Sequence, residues 1–352
     1  VTDGPRANAR RRAATLHDVA RAAGVSYATA SRALNGSDRT VRAENVARVH
    51  AAAVQLGYSP HLSAQAIARG STSTAALVVS DVNDPYFSSI AAGVTEAAEA
   101  AGLIVTMAVA DRSPDLELQI VRSLRGQRPR AIVIAGSRIA DARTRADLID
   151  ELTAYRTAGG RIALISQQDL PFDTLCVDNH GGAKRLALAL AAQGHRSFAV
   201  IHGSDAIRSS HERREGFTDG LREAGLTMDR RHLIEVAFAR EGGAAGARRL
   251  VAQGVEEVDV VFAVNDVMAI GAMTAFRDAG LTPGTDIGIA GFDDIGSAVD
   301  VVPALTTVRI PLREVGLTAM RIALADDAAG VVQIPTEVVL RESTPLRRRN
   351  RG

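Results

Sequence analysis

The sequence predicts an α/β protein in two parts, a small N-terminal helix-turn-helix headpiece and a larger two-lobed body with parallel, doubly wound sheets. Three observations predict it. Residues 15 to 37, TLHDVARAAGVSYATASRALNGS, lay out two short helices joined by a glycine turn. From Ala75 onward short β-branched runs alternate with helical stretches. Charge also divides unevenly: through Thr72 ten arginines stand against four carboxylates, a net +6, while the remainder carries 31 basic and 36 acidic side chains, a net −5. A basic head on a mildly acidic body fits a chain in which only one end meets phosphate.

Val1 to Ala14, with ARRRA near its end, reads as a disordered basic arm that either adds non-specific phosphate attraction or is a solvated tail. Thr15 and Asp18 form a capping box, and Leu16, Val19, Ala20 and Ala23 share one face of the first helix. Gly24 supplies the positive φ of a sharp turn, Val25 plugs the corner, and Ser26 caps a second helix running to about Leu34. Ala30 and Leu34 face inward. Tyr27, Ala28, Ser31 and Arg32 fall on the opposite face, near the end that enters the major groove in helix-turn-helix proteins, where Arg32 can fork onto a guanine. The alternative is an ordinary helical hairpin with a solvated face. Arg42 to Leu56 reads as a third helix with an apolar stripe of Val46, Val49, Ala53 and Leu56, stopped by Gly57. Pro60 then breaks the chain. His61 to Arg69 is short, alanine-rich and weakly helical, and composition leaves a plain linker and a hinge helix equally open.

The body begins with a strand at Ala75 to Val79. Further strands are expected at Leu103 to Val109, Ala131 to Ile134, Ile162 to Ile165, Phe198 to Ile201, Val258 to Val264 and Ile287 to Ala290. Helices between them include Ser88 to Ala101, Arg143 to Ala158, Gly181 to Gln193, Arg213 to Ala224 and Asp266 to Ala279. Repeated βα alternation over about 270 residues implies two doubly wound lobes rather than one sheet. Ligands bind such sheets at the carboxyl ends of the strands. The polar groups expected there are Asn83 with Tyr86 and Phe87, Ser166 with Gln167 and Gln168, Arg213 at the start of a helix, Asn265 with Asp266, and Asp293 with Asp294. Singly each reads as a cap or turn; together they imply a polar cleft that grips a hydroxyl-rich small molecule.

Other classes are disfavoured. Hydrophobic content of 46% with 23% charged residues suits a soluble globular chain. The single cysteine, Cys176, excludes an intramolecular disulfide and reads as a buried, inert thiol. No signal peptide or membrane span is visible, so the expected location is cytoplasmic. GxSxG, Walker and His/Cys metal-ligand patterns are lacking, which argues against an enzyme and against a cofactor.

The order of these pieces resembles the lactose-repressor/purine-repressor (LacI/GalR) family of bacterial transcription factors from Thr15 to about Thr344. TLHDVARAAGVSYATASRALNGS resembles its headpiece, LGYSP with Ala64 to Gly70 its hinge, and Ala263 to Ile295 its second lobe, a body like that of periplasmic binding proteins. ALTTVRIP and PTEVVLREST resemble the returning crossover and the final strand. The resemblance implies a repressor that binds a palindromic operator as a homodimer under allosteric control by a sugar or related metabolite. Its DNA contacts would be Thr15, Ser26, Tyr27, Ala28, Thr29, Ser31, Arg32 and Asn35, with Ala64 and Ile67 in the hinge and Ile67 as the minor-groove wedge. Its effector contacts would be Asn83, Tyr86, Phe87, Ser137, Gln167, Arg213, Asn265 and Asp293. Ile310 stands where sugar-binding members often carry glutamine, which implies reduced hydroxyl capacity. The implied domains are an arm (1–14), a headpiece (15–59), a hinge (60–73), a body (74–346) and a tail (347–352). Within the body, 74–178 and 305–333 form the first lobe, and 179–304 and 334–346 the second. The tail LRRRNRG has no leucine heptads, so no tetramerisation coil is expected. The competing readings are a periplasmic-type solute-binding protein and a regulator that binds DNA without an effector.

Overall fold

The computed structural model describes residues 14–35, 41–58, 72–136 and 142–346. The chain forms two compact units, Val1–Thr72 and Ser73–Gly352. In the first, α1 (Leu16–Ala23), α2 (Tyr27–Asn35) and α3 (Ala43–Leu56) enclose a core of small side chains, including Val19, Ala20, Ala30, Val49 and Ala53. The Thr15–Asp18 capping box opens α1, and Gly24 closes it at φ 64°. Val25 packs against the core from the turn. One position of the expected α3 stripe is corrected: Leu56 is exposed and Ala52 takes an inward place. Leu56 is 40% exposed, while Ala53 in the same last turn of α3 stays buried.

In the second unit the first lobe is built from β1 (Thr74–Val79), α4 (Pro85–Ala100), β2 (Ile104–Val109), α5 (Pro114–Gln127), β3 (Ala131–Ala135), α6 (Ala142–Thr157), β4 (Arg161–Ile165) and β5 (Thr174–Val177). The second lobe follows with α7 (Asn179–Ala192), β6 (Phe198–His202), α8 (Arg208–Glu223), β7 (Leu233–Glu235), α9 (Arg240–Gln253), β8 (Val260–Ala263), α10 (Asp266–Asp278) and β9 (Gly288–Ala290). After β10 (Thr307–Arg309) the chain returns to the first lobe as α11 (Leu312–Leu324) and β11 (Val331–Ile334). It ends with β12 (Glu337–Val339). The sheet orders are β2-β1-β3-β4-β5-β11 and β7-β6-β8-β9. Every pairing in both is parallel. β3 is buried along its whole length, as are Ala75 to Val79 of β1. Helices cover both faces, so these strands read as continuous apolar runs without alternation.

The structure moves three expected boundaries. Residues 305–310, assigned above to the first lobe, belong to the second: β10 pairs antiparallel with β12, and bridges at Ala290–Thr306 and Asp293–Arg309 extend the edge of β9. The β-branched TTVR run completes that edge before the chain crosses back. α4 starts at Pro85 because Asp84 caps it and proline suits the first helical position. α8 starts at Arg208, not Arg213, because its first turn is the polar run RSSHE, whose apolar periodicity begins only later.

Helices also approach one another unusually closely. A Cβ at Gly93 of α4 would collide with the Arg313 carbonyl of α11, and one at Gly316 with the Ile90 carbonyl. Gly243 of α9 and Gly271 of α10 clasp the second lobe in the same way, against the carbonyls of Met268 and Arg240.

Candidate functional site

The headpiece presents α2 on a rigid frame. Arg48 of α3 donates to the carbonyls of Ala23 and Gly24, fixing the turn where α1 ends. Ser26 accepts the Thr29 amide at 3.1 Å and its hydroxyl lies 2.8 Å from that of Thr29. Thr15 donates to Asp18 at 2.6 Å. Thus three residues expected at DNA, Thr15, Ser26 and Thr29, have side chains engaged in helix capping. Tyr27, Ala28 and Arg32 are exposed, Ser31 is half-buried and Ala30 fully buried, so the outward face carries the expected group. The rings of His17 and Tyr27 lie 4.5 Å apart. Asn35 ends α2 and its side chain lies outside the described residues, as do Ala64 and Ile67.

The two lobes of the second unit meet at a narrow cleft, lined by side chains of both. Strand carboxyl ends supply its walls, as in other doubly wound sheets. Tyr86, Phe87 and Gln167 line it from the first lobe and Arg213, Asn265 and Asp293 from the second. Asn83 does not; it is exposed, its amide bonded to the Asp81 carboxylate at 2.9 Å. Its neighbour Asp84 lines the cleft instead, because capping the Tyr86 amide turns that side chain inward. Ser137 lies outside the described residues. Ile310 is buried in the hydrophobic core and is absent from the lining, so its apolar side chain does not subtract from the cleft's polarity.

Arg213 organises the second wall. Its Nε donates to Asn179 Oδ1 at 2.9 Å and Nη1 to the Val264 carbonyl at 2.9 Å. Its guanidinium lies 4.0 Å over the Phe292 ring. Nη2 stands 2.8 Å from Asp293 Oδ1 in a pair whose side chains are 5% and 4% exposed. The contact is close but poorly aligned, and Oδ1 accepts no hydrogen bond. Asn265 Oδ1 caps α10 through the Met268 amide at 2.9 Å, leaving Nδ2 without an acceptor. A buried donor, Asn265 Nδ2, therefore faces the cavity unpaired beside an Asp293 oxygen whose ion pair with Arg213 leaves room for a hydrogen bond; the unpaired donor is costly unless a ligand hydroxyl or water meets it.

Burial sets the charge states. It raises the Asp293 carboxyl to about 7, outweighing the attraction of Arg213, with Asp84 adding to the rise. Burial also raises Asp84, Asp266 and the Tyr86 phenol. Asp266 is structural: it accepts from the Ile295 amide at 2.9 Å and the Thr307 hydroxyl at 2.6 Å. Cys176 is buried, and desolvation raises its thiol. No group of three or more His, Cys, Asp or Glu that could hold a metal occurs among the described residues.

Sequence reasoning missed Asp84, Arg112, Asn179 and Phe238. Arg112 pairs with Asp81 at 2.8 Å and lies 5.3 Å from the centre of the Phe238 ring, joining the lobes. The Asp-Pro pair was a usable signal for Asp84, since it marks a helix cap.

The class so defined is a helix-turn-helix protein with a two-lobed, ligand-cleft body. Residues 15–61 match the family described as bacterial regulatory proteins, lacI family, and residues 72–341 match periplasmic binding proteins and sugar binding domain of LacI family. The chain belongs to the LacI family. It is 32% identical to the HTH-type transcriptional regulator GalR of Escherichia coli (strain K12) over 314 residues, covering 89% of each chain. Among solved structures it is similar to the lac repressor dimer bound to operator and the anti-inducer ONPF (25% identity, TM-score 0.78, 95% and 100% covered). It is also similar to the CelR–cellobiose complex (28% identity, TM-score 0.68, 94% and 99% covered).

Proposed function

We propose that the protein is a transcriptional repressor that binds a near-palindromic operator as a homodimer and is controlled by a sugar or related metabolite held between its lobes. The observation that carries this reading is the presence in one chain of an exposed α2 face and of a cleft with the unpartnered Asn265 amide donor beside the Arg213–Asp293 ion pair. Tyr27, Ala28, Ser31 and Arg32 meet base edges or phosphates, with Ile67 as the minor-groove wedge. In the cleft a ligand hydroxyl donates to Asp293 while another accepts from Asn265, and Tyr86 or Phe87 covers an apolar face. This is binding work without catalysis. A second copy of the chain has a surface to use: edge strand β2 carries exposed Ile104 and Met107. The solved relatives support both halves, one being a dimer on operator DNA and another holding cellobiose.

Selection of genomic fragments by the purified full-length protein, followed by sequencing, tests the reading. Recovery of a palindromic motif, with release or strengthening by one member of a metabolite library, is the expected outcome. Random, salt-sensitive fragments alone would overturn it.

A further inference from the structure

Asp293 and Asp294 occupy two consecutive positive-φ conformations, at 118° and 56°. L-residues disfavour this region, and such a pair persists only where its surroundings over-determine it. The surroundings here are specific. Asp294 accepts from Arg309 Nε at 2.7 Å and from Arg341 Nη2 at 2.6 Å. Its side chain is 9% exposed and that of Arg341 13%. Arg341 also donates to the Leu305 carbonyl at 2.7 Å, and Arg309 reaches Glu337 at 3.3 Å.

The partners sit at meaningful places. Arg309 is the last residue of β10, immediately before the chain crosses to α11, and Glu337 opens β12, immediately after it crosses back. The backbone repeats the linkage, with the Asp293 amide donating to the Val308 carbonyl at 2.8 Å and the Ile310 amide to the Asp293 carbonyl at 3.3 Å. Asp293 lines the cavity and Asp294 does not.

We infer that Asp294, clamped between Arg309 and Arg341, is the positioning residue that aims Asp293 into the cleft and ties it to the two return crossings between the lobes. The inference rests on reading the cleft as the effector site. A ligand that moves Asp293 then pulls on a turn whose other side is held by the crossing strands. The lobe angle and Asp293 respond together because they share one ionic clamp.

Amide hydrogen exchange of the unliganded full-length protein tests the clamp, with Asp294→Asn, Asp294→Gly and Arg341→Lys as variants. Asparagine and glycine both tolerate the left-handed backbone, so they remove the charge without adding strain. On our inference both accelerate exchange at Asp293 and Ile310 by about tenfold or more, while α9 keeps its protection. Arg341→Lys, which keeps an ion pair, stays within about threefold of the parent. Carbon-13 titration of the Asp293 carboxyl, which faces Arg213, Asp84, Asp266 and Tyr86, is the second readout. In the asparagine and glycine variants its midpoint falls towards the ordinary carboxylate range as the group swings out of its buried position. Unchanged exchange and an unchanged midpoint in both variants would mean that the backbone holds the turn unaided, and the inference would fail. No ligand enters either measurement, so a cleft that binds no metabolite would sink the effector reading and leave this result standing.

Discussion

The outward face of α2 and the second-lobe wall of the cleft are both polar surfaces, but they are built on opposite terms. On α2 the side chains of Tyr27 and Arg32 stand in solvent while the fold beneath them is held by caps and small apolar residues. In the cleft Arg213, Asn265 and Asp293 are each under 5% exposed, and the same atoms that would meet a ligand also hold the lobe together. A surface of the first kind can lose its chemistry and keep its structure. One of the second kind cannot, because removing either partner of a buried pair strands the other.

That contrast can be broken by substitution, and the largest effect is expected at Arg213. Arg213→Ala leaves Asp293 and Asn179 uncompensated and should lower stability by about 3–5 kcal/mol, read by denaturant unfolding, with ligand binding lost as well. A change under about 1 kcal/mol would show that the pair contributes little and that the two surfaces are alike.

The next effect is one of pH. Because burial raises Asp293 to about 7, the folded protein holds a proton that the unfolded chain has already released. The stability this contributes is fully present below the ordinary carboxylate range and is lost as pH rises through about 7. Asp84 and Asp266, also raised by burial, act in the same direction. Thermal midpoints should therefore fall from about pH 5 to about pH 8, and Asp293→Asn should flatten part of that slope. Ligand affinity should move the other way, since the carboxylate accepts hydroxyl hydrogen bonds better than the neutral acid does.

Smaller still is Asn265→Asp. Aspartate keeps the α10 cap and removes the free amide donor, so calorimetry should show affinity for the selected metabolite falling by about 1–2 kcal/mol, with stability falling as well because a carboxyl replaces a neutral amide in a buried site. At the far end Arg32→Ala should change stability by no more than about 0.5 kcal/mol yet remove about 1–3 kcal/mol of discrimination between operator and random DNA in a competition assay. If Arg32→Ala unfolds the headpiece, the contrast is wrong at its exposed end.

Local chemistry was the part of the molecule most open to reading. The Thr15–Asp18 box, the Gly24 turn and the Ser26 cap each depend on residues within a few positions of one another, and the structure has all three. The rule that ligands gather at strand ends led to Arg213, Asn265 and Asp293 because each lies directly after a strand or early in the following helix. Between Asn83 and Asp84 the side-chain direction depends on which residue caps the helix, and the Asp-Pro pair points to Asp84. Arg112 was out of reach: it enters the cleft from a backbone at φ 52°, a conformation that no residue type at that position announces. The placement of β10 depended on an open edge at β9, a property of the assembled sheet.

The notched helix pairs set a map of where this chain is free to drift. At Gly93, Gly316, Gly243 and Gly271 even one methyl would wedge two backbones apart, so these positions should be nearly silent in any search for altered ligand preference and intolerant in any search for survival. Change is channelled elsewhere, into the loops at the strand ends. Adaptation to a new small molecule can proceed there, residue by residue, without renegotiating how either lobe is put together.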